Sequence, residues 1–266
     1  MSAAVSYERV RGQLEELKLE AALASLDPVL EQGQKKEQLP VEILDELLTR
    51  ELAARFERRV ETNLKLSGLP APKRLEDYDF DAQPQAPREQ IEELASLRFL
   101  HHGENVLFLG PCGVGKTHLA IGLGLKAIEQ GHRVYFLTLH DLVAKVRAAE
   151  DRNRLDSLIR SIQRARLFIL DEVGYVPLET KDATFLFEVV SKRYESQKPI
   201  IITSNKSYGQ WDEVFPDRVL ATALLDRLLH HATTINIRGE SYRLRHRREA
   251  GLTPPSWTKE EAEEES

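Results

Sequence analysis

The chain has 266 residues, 41% of them hydrophobic, 30% charged and 7% aromatic, a composition that builds a core and excludes a disordered or collagen-like polymer. No uncharged apolar run approaches the roughly 20 residues of a membrane-spanning helix, so no membrane partner is expected. The net charge of −6 is uneven: the last 16 residues contribute −4, and Arg238 to Ala250 just before them carries +3, so an acidic average does not exclude a nucleic-acid partner. Met1 to Val5 lacks the basic start and apolar centre of a signal peptide, and the single cysteine, Cys112, has no internal partner for a disulfide. The predicted compartment is the reducing cytoplasm.

From Ser6 to about Leu66 the apolar spacing predicts helices, through Leu14, Leu17, Leu19, Ala21, Leu23 and Leu26 and again through Leu44, Leu47, Leu48, Leu52 and Phe56. Asp27-Pro28 and Leu39-Pro40 are expected to punctuate them. Residues 1–68 therefore read as a small N-terminal helical domain, either a plain bundle or an accessory domain that binds DNA or a partner. Lys73 and Arg74, with Lys65, Arg55, Arg58 and Arg59 upstream, are candidate DNA contacts at its end, or a solvated charged face. Pro70, Pro72, Pro84 and Pro87 mark a linker over 69–90, and Arg88 to His101 returns to helical spacing.

Beyond Asn105 short β-rich runs alternate with helices. The strands are expected at Asn105 to Leu109, Arg133 to Leu137, Ala165 to Leu170, Pro199 to Thr203 and Thr233 to Ile237. The helices between them are expected at Lys116 to Gln130, His140 to Gln163, Thr180 to Ser196 and Pro216 to His231. This alternation predicts an α/β fold, a three-layer domain with a mainly parallel sheet over 69–250. The glutamate-rich 251–266 is expected to be an acidic disordered tail.

Gly110-Pro111-Cys112-Gly113-Val114-Gly115-Lys116-Thr117 satisfies G-x-x-x-x-G-K-[ST] between an apolar strand and a helix, the context a phosphate-binding loop requires. Its glycines turn backbone N–H groups toward phosphates, Lys116 reaches the β and γ phosphates, and the Thr117 hydroxyl ligates Mg²⁺. ATP with Mg²⁺ is the expected cofactor, and His118 completes the binding segment. Arg166-Leu167-Phe168-Ile169-Leu170-Asp171-Glu172 supplies the second acidic site: Asp171 emerges at a strand end toward the metal, and Glu172 is placed to polarise a water. That base separates a hydrolytic ATPase from a small-molecule kinase. A third strand ends in Thr203-Ser204-Asn205, where Asn205 either holds the attacking water and senses the γ phosphate or caps a loop.

These motifs resemble an AAA+ ATPase. More narrowly, Gly103-Glu104-Asn105-Val106, Lys116 to Ala120, Leu170 to Tyr175, Thr203-Ser204-Asn205, Trp211, Leu224 to His231 and Arg238 to Arg243 resemble the IstB transposition helper ATPases, sisters of the DnaC and DnaI helicase loaders. The resemblance covers roughly Tyr78 to Arg245. It implies that Arg227 is an arginine finger reaching the γ phosphate bound by the next subunit, with Arg218 as the alternative finger and a surface ion pair with Asp226 as the competing reading. It also implies that Arg243 is a sensor arginine of its own subunit. Tyr78 and Phe80 stand where such ATPases contact adenine, or pack on the core. Cys112 occupies a position where the resembled family usually carries proline.

Further expectations concern DNA. Lys145, Arg147, Arg152 and Arg154 lie in a segment, Asp141 to Arg166, that sums to +3, suited to backbone contact or to a solvated helical face. The resemblance implies double-stranded DNA, a homo-oligomer assembled through its ATP sites, and the transposase of the same element as partners. The function so implied is an ATP-dependent, DNA-binding regulator of transposition that recruits and activates the transposase and hydrolyses ATP to switch or disassemble. A DnaC/DnaI-type replicative helicase loader and a non-hydrolysing nucleotide-gated scaffold are the competing readings.

Overall fold

A computed structural model describes residues 3–239, 241 and 242. The chain divides into two compact units, Met1–Thr62 and Asn63–Ser266. Arg243 and the acidic 251–266 stretch lie outside the described residues.

In the first unit α1 (Ala3–Glu16), α2 (Glu20–Lys35) and the greater part of α3 (Pro40–Leu66) gather around Ala22, Leu26, Val29 and Leu47. Pro40 opens α3 as its first helical residue, where a missing N–H costs nothing. The expected break at Asp27-Pro28 does not occur: Pro28 sits inside α2, where burial of Leu26 and Val29 on either side outweighs the lost backbone bond. The chain turns earlier instead, at Lys18, whose φ of 54° is left-handed. Leu19 at the N-cap of α2 has no side chain to satisfy the first amides. The buried Glu51 carboxylate does so from α3, accepting from the amides of Ala21 (2.8 Å) and Ala22 (3.1 Å) and from Arg55 Nε (2.7 Å). Of the second apolar face read from the sequence only Leu47 is buried; Leu44, Leu48, Leu52 and Phe56 are exposed.

The second unit carries α4 (Arg88–Leu94), α5 (Arg98–His102), β1 (Asn105–Leu109), α6 (Lys116–Glu129), β2 (Val134–Thr138), α7 (Leu139–Glu150), α8 (Leu155–Arg164), β3 (Leu167–Val173), α9 (Thr180–Glu195), β4 (Ile200–Ser204), α10 (Arg218–Leu229) and β5 (Ala232–Asn236). The five strands form one parallel sheet in the order β2-β3-β4-β1-β5. Period-two alternation sorts its side chains into layers. Phe168, Leu170, Ile200 and Ile202 face a cluster with Leu142, Ile159, Leu186 and Leu224 from α7 to α10, while Ile169 faces Gly124 of α6 on the other side. This is the three-layer α/β arrangement expected.

Two expected helices are each broken by a left-handed residue. His140 to Gln163 becomes α7 and α8, separated where Asn153 turns at φ 53°, a conformation asparagine tolerates. Arg88 to His101 becomes α4 and α5 around Leu97, at φ 61° and fully buried. At the opposite end of β3 and β4 from the phosphate loop, the wholly buried Arg193 of α9 ties the layers together. Its guanidinium donates to the carbonyls of Ile162 (3.0 Å), Ala165 (3.2 Å), Arg166 (3.0 Å) and Pro199 (2.8 Å), holding the C-terminus of α8 to the strand starts.

Candidate nucleotide site

The C-terminal ends of β1, β3 and β4 meet at the centre of the sheet, where the strand order reverses and ligands bind in open α/β folds. The loop from Gly110 to Gly115 joins β1 to α6, and Gly110, Gly113 and Gly115 all have positive φ, 144°, 83° and 94°. Each also admits a close neighbour. The Ile237 carbonyl lies over Gly110, the Ser241 side chain over Gly113, and a Cβ on Gly115 would come within 2.5 Å of Tyr78 Cε2. Lys116 is buried and its Nζ donates to the Gly110 and Pro111 carbonyls, both at 2.7 Å. The ammonium is thereby held over the loop, at the positive end of α6.

A cavity of about 500 Å³ opens beside the loop, lined by Gly113 to His118, by Glu172 and Thr203, and by Lys73, Tyr78 and Gln83 of the linker, a size that accepts a nucleotide. Asp171 is buried at the end of β3, and its Oδ1 accepts from the Thr117 hydroxyl at 2.9 Å and from the Thr203 hydroxyl. A hydroxyl and a carboxylate so paired form an all-oxygen donor set of the kind Mg²⁺ takes, with room for waters and phosphate oxygens.

Glu172 reaches the cavity through a break in the strand. The β3–β4 register shifts between Leu170, opposite Ile202, and Val173, opposite Ser204, so Asp171 and Glu172 together face Thr203. Glu172 is left-handed, φ 63°, and its side chain is exposed. In a regular strand adjacent residues point to opposite faces; the bulge lets both carboxylates serve one site.

The linker meets α6 through its glycines. Leu75 packs on Gly122 and Tyr78 on Gly115, two positions seven residues apart on one face. The buried Tyr78 hydroxyl donates to the Val114 carbonyl at 3.0 Å, and burial, then the nearby Asp79 charge, push its pKa up to about 12. Its ring meets Phe80 edge-on at 4.8 Å and His118 at 5.6 Å. Tyr78 thus forms a wall of the cavity, whereas Phe80 lines a neighbouring one of about 400 Å³ under the Arg88 guanidinium. His118 Nε2 lies 2.7 Å from the Arg74 carbonyl, which it can reach only as a donor.

Cys112 is exposed, with Sγ 2.9 Å from the Tyr175 hydroxyl, and so touches the segment that follows Glu172. Asn205 is not brought to the cavity wall: its Oδ1 is buried beside Gly174, without a hydrogen-bond partner among the described residues. Thr203, two residues earlier, stands there instead. Arg227 also lies outside its own chain's cavity, with its guanidinium 4.5 Å from the Phe187 ring centre and Nη1 donating to the Ala223 carbonyl at 3.2 Å. Among the described residues it makes no ion pair with Asp226. Arg218 is exposed at the start of α10.

The candidate DNA contacts separate by their partners. Lys145, Arg152 and Arg154 are exposed, and no ion pair engages them among the described residues. Arg147 pairs with Glu179 at 3.0 Å, Arg74 with Glu129 at 3.0 Å, and Lys73 lines the phosphate-loop cavity. Arg55 and Arg58 are paired with Glu51 and Glu20 inside the first unit. Among the described residues no group of three metal-ligating side chains occurs, and no helix is long and apolar enough to cross a membrane.

Sequence reasoning gave no role to Thr203, Tyr175 or Gln83. A hydroxyl at the end of the apolar Ile200–Ile202 run was the signal for Thr203. Nothing local marks Gln83, which is brought to the cavity by close packing against Gly239.

The model of the IstB-like ATP binding protein family matches residues 12–250. A Pseudomonas aeruginosa protein named for ATP binding and for insertion sequence IS21 is 47% identical over 245 residues, 92% of each chain. A Geobacillus stearothermophilus counterpart from insertion sequence IS5376 is 48% identical over 207 residues, 78% of this chain and 82% of its own. Among solved structures, the DnaC helicase loader aligns with a TM-score of 0.51 at 19% identity over 66% of this chain and 98% of that one. AMPPCP-bound DnaA from Aquifex aeolicus aligns with a TM-score of 0.55 at 18% identity over 72% of this chain and 59% of that one. At such identity the structural likeness speaks for the fold, that of the P-loop AAA+ domain. The chain belongs to the IstB-like ATP-binding family.

Proposed function

We propose that this IstB-like ATP-binding protein is an ATPase regulator of transposition that assembles on duplex DNA in its ATP state and recruits the transposase of its own element. The observation that carries the ATPase reading is that Thr117 and Glu172 line one cavity, with the Thr117 hydroxyl 2.9 Å from the buried Asp171 carboxylate behind it. Lys116 and the loop amides would hold the phosphates, Thr117 and Asp171 would hold Mg²⁺, which neutralises charge on the phosphates when bound, and Glu172 would take a proton from the attacking water. An arginine placed like Arg227, away from its own cavity, fits a role at a neighbour's phosphates and would make hydrolysis depend on assembly. Relatives named for insertion sequences support the transposition context. Lys145, Arg152 and Arg154, exposed and without an ion pair among the described residues, support contact with a phosphate backbone.

The test compares ATP turnover by the wild type, Glu172→Gln and Arg227→Ala, and sizes their complexes on duplex and single-stranded DNA of equal length with ATP or ADP. The reading expects Glu172→Gln to bind ATP, lose turnover by at least about 100-fold and hold large assemblies on duplex. It also expects Arg227→Ala to bind ATP but turn over slowly, and to recover activity when mixed with Lys116→Ala. Preference for single strands would overturn the transposition reading in favour of a helicase loader, and absent turnover in the wild type would overturn the enzymatic one.

A further inference from the structure

We infer that Thr203 is a positioning residue of the ATP site, its one hydroxyl fixing the water-facing Glu172 relative to the metal-facing Asp171. The inference rests on the hydrolysis reading above and goes beyond it by giving the bulge in β3 a specific task. Thr203 is 1% exposed, at the end of β4 and directly opposite the two bulged residues. A bulge takes one amide out of the sheet ladder, and a buried amide left unpaired is costly. Here the Glu172 amide donates to Thr203 Oγ1 at 3.0 Å, and the same hydroxyl spends its single proton on Asp171 Oδ1. One side chain thus accepts from the main chain of one acid and donates to the carboxylate of the other.

The direction of these bonds leaves little freedom. A threonine hydroxyl has one proton, and the Glu172 amide can only donate, so a lone pair faces Glu172 and the proton points to the Asp171 oxygen. Its β-branched side chain is stiff at χ1, which fixes the oxygen relative to the strand. Thr117 Oγ1 reaches the same Asp171 oxygen from the other side at 2.9 Å. Thr117, Asp171, Thr203 and the Glu172 amide therefore form a chain from the helix end to the base. Ser204 adds a tie beyond the bulge, its hydroxyl donating to the Val173 carbonyl at 2.6 Å. Removing the Thr203 hydroxyl would leave Glu172 at its left-handed φ of 63° without the partner that holds it there. Partners of this outer kind typically govern about 10- to 100-fold in activity.

The test is a double-mutant cycle on the full chain with Mg²⁺ and ATP, comparing the wild type, Thr203→Val, Glu172→Gln and the double variant in single-turnover rate and in affinity for a fluorescent ATP analogue. Thr203→Val keeps the β-branched shape, and Thr203→Ser against Thr203→Ala gives a second pair that isolates the hydroxyl should valine disturb folding. The expected result is a 10- to 100-fold slower rate for Val and Ala with analogue affinity within about threefold. Ser should recover most of the rate, and adding Thr203→Val to Glu172→Gln should cost less than about threefold more, because the base it positions is already gone. Undiminished rate in Val and Ala, or a full 10- to 100-fold loss on top of Glu172→Gln, would overturn the inference while leaving the hydrolysis reading intact. A wild type that turns over no ATP, or Glu172→Gln at the wild-type rate, would overturn both and would be recognised from those two proteins alone.

Discussion

The Tyr78 hydroxyl donates to the Val114 carbonyl at 3.0 Å, fastening the linker to the phosphate loop one residue before Gly115, on which the tyrosine ring rests. Because burial holds the phenol protonated up to about 12, this donor is constant across any working pH. Tyr78→Phe should keep the ring and lose the bond, costing about 1 kcal/mol of stability and weakening ATP binding several-fold. The weakening should be the same at pH 6 and pH 9, as titration with a fluorescent ATP analogue at both values would show. A weakening seen at pH 6 but absent at pH 9 would mean that the wild-type phenol ionises within that range and gives up the bond.

Gly110 has φ 144°, and the space a Cβ would fill is taken by the backbone carbonyl of Ile237, whose amide in turn donates to the Leu109 carbonyl at 2.8 Å. Backbone cannot step aside as a flexible side chain can. Gly110→Ala should therefore displace the segment after β5 as well as the loop. The expected readout is loss of the rise in melting temperature that saturating ATP gives the wild type, with a lower melting temperature in the absence of nucleotide.

Arg193 satisfies four carbonyls with one guanidinium and, among the described residues, meets no carboxylate. Burial, then the Arg166 charge, lower its pKa, so its charge costs stability that the carbonyl bonds must offset. Arg193→Met should strand those carbonyls and destabilise the second unit by about 3 kcal/mol or more. Arg193→Lys should recover only part, since an ammonium cannot span the same fork. Urea midpoints followed through the fluorescence of buried Trp211 would test the order wild type, Lys, Met.

Glu51 makes the first unit sensitive to acid. Burial works to raise its carboxyl, but the Arg55 hydrogen bond and the Ala22 and Ala21 amides outweigh it and hold the pKa below the usual carboxylate value. A carboxyl lowered by folding contributes stability that is fully present above its unfolded value of about 4.3 and is lost as pH falls through the folded value. Hydrogen exchange at the Ala21 and Ala22 amides, corrected for intrinsic rates, should quicken across that acid window. In Glu51→Gln the protection should be weaker at pH 7 and should lose this acid dependence.

Much of the second unit was legible because its signals are local. Four of its five strands coincide with apolar runs and the fifth, β5, with a β-branched one, Thr233-Thr234-Ile235, while the phosphate loop and the Asp171-Glu172 pair announce themselves by residue type and spacing. What was not legible depends on how neighbours pack. Pro28 reads as a break until Leu26 and Val29 are seen buried around it. Asn205 reads as the polar residue of the third strand because it follows the strand, yet the bulge in β3 turns Thr203 toward the acids and leaves Asn205 beside Gly174. A register shift on one strand leaves no mark in the sequence of another. Lys73 reads as a basic residue at a domain end, and only the docking of Leu75 and Tyr78 on α6 turns it to the cavity wall.

The same sorting by partners sharpens what is expected of the basic face. Arg147 spends its charge on Glu179 at the start of α9, whereas Arg152 and Arg154 are exposed between α7 and α8 and have no such partner among the described residues. A cation already paired gains little from a phosphate, because it must first give up its carboxylate; an unpaired one releases a counterion from the DNA at no such cost. Arg152→Ala with Arg154→Ala should therefore weaken duplex binding uniformly across sequences and flatten the dependence of log K on log salt by about 0.9 for each phosphate that is no longer neutralised. Arg147→Ala should change that slope by much less. Equal slopes for all three proteins, measured with ATP present between 50 and 200 mM salt, roughly the range over which such slopes are read, would remove the α7–α8 turn from the DNA-binding surface.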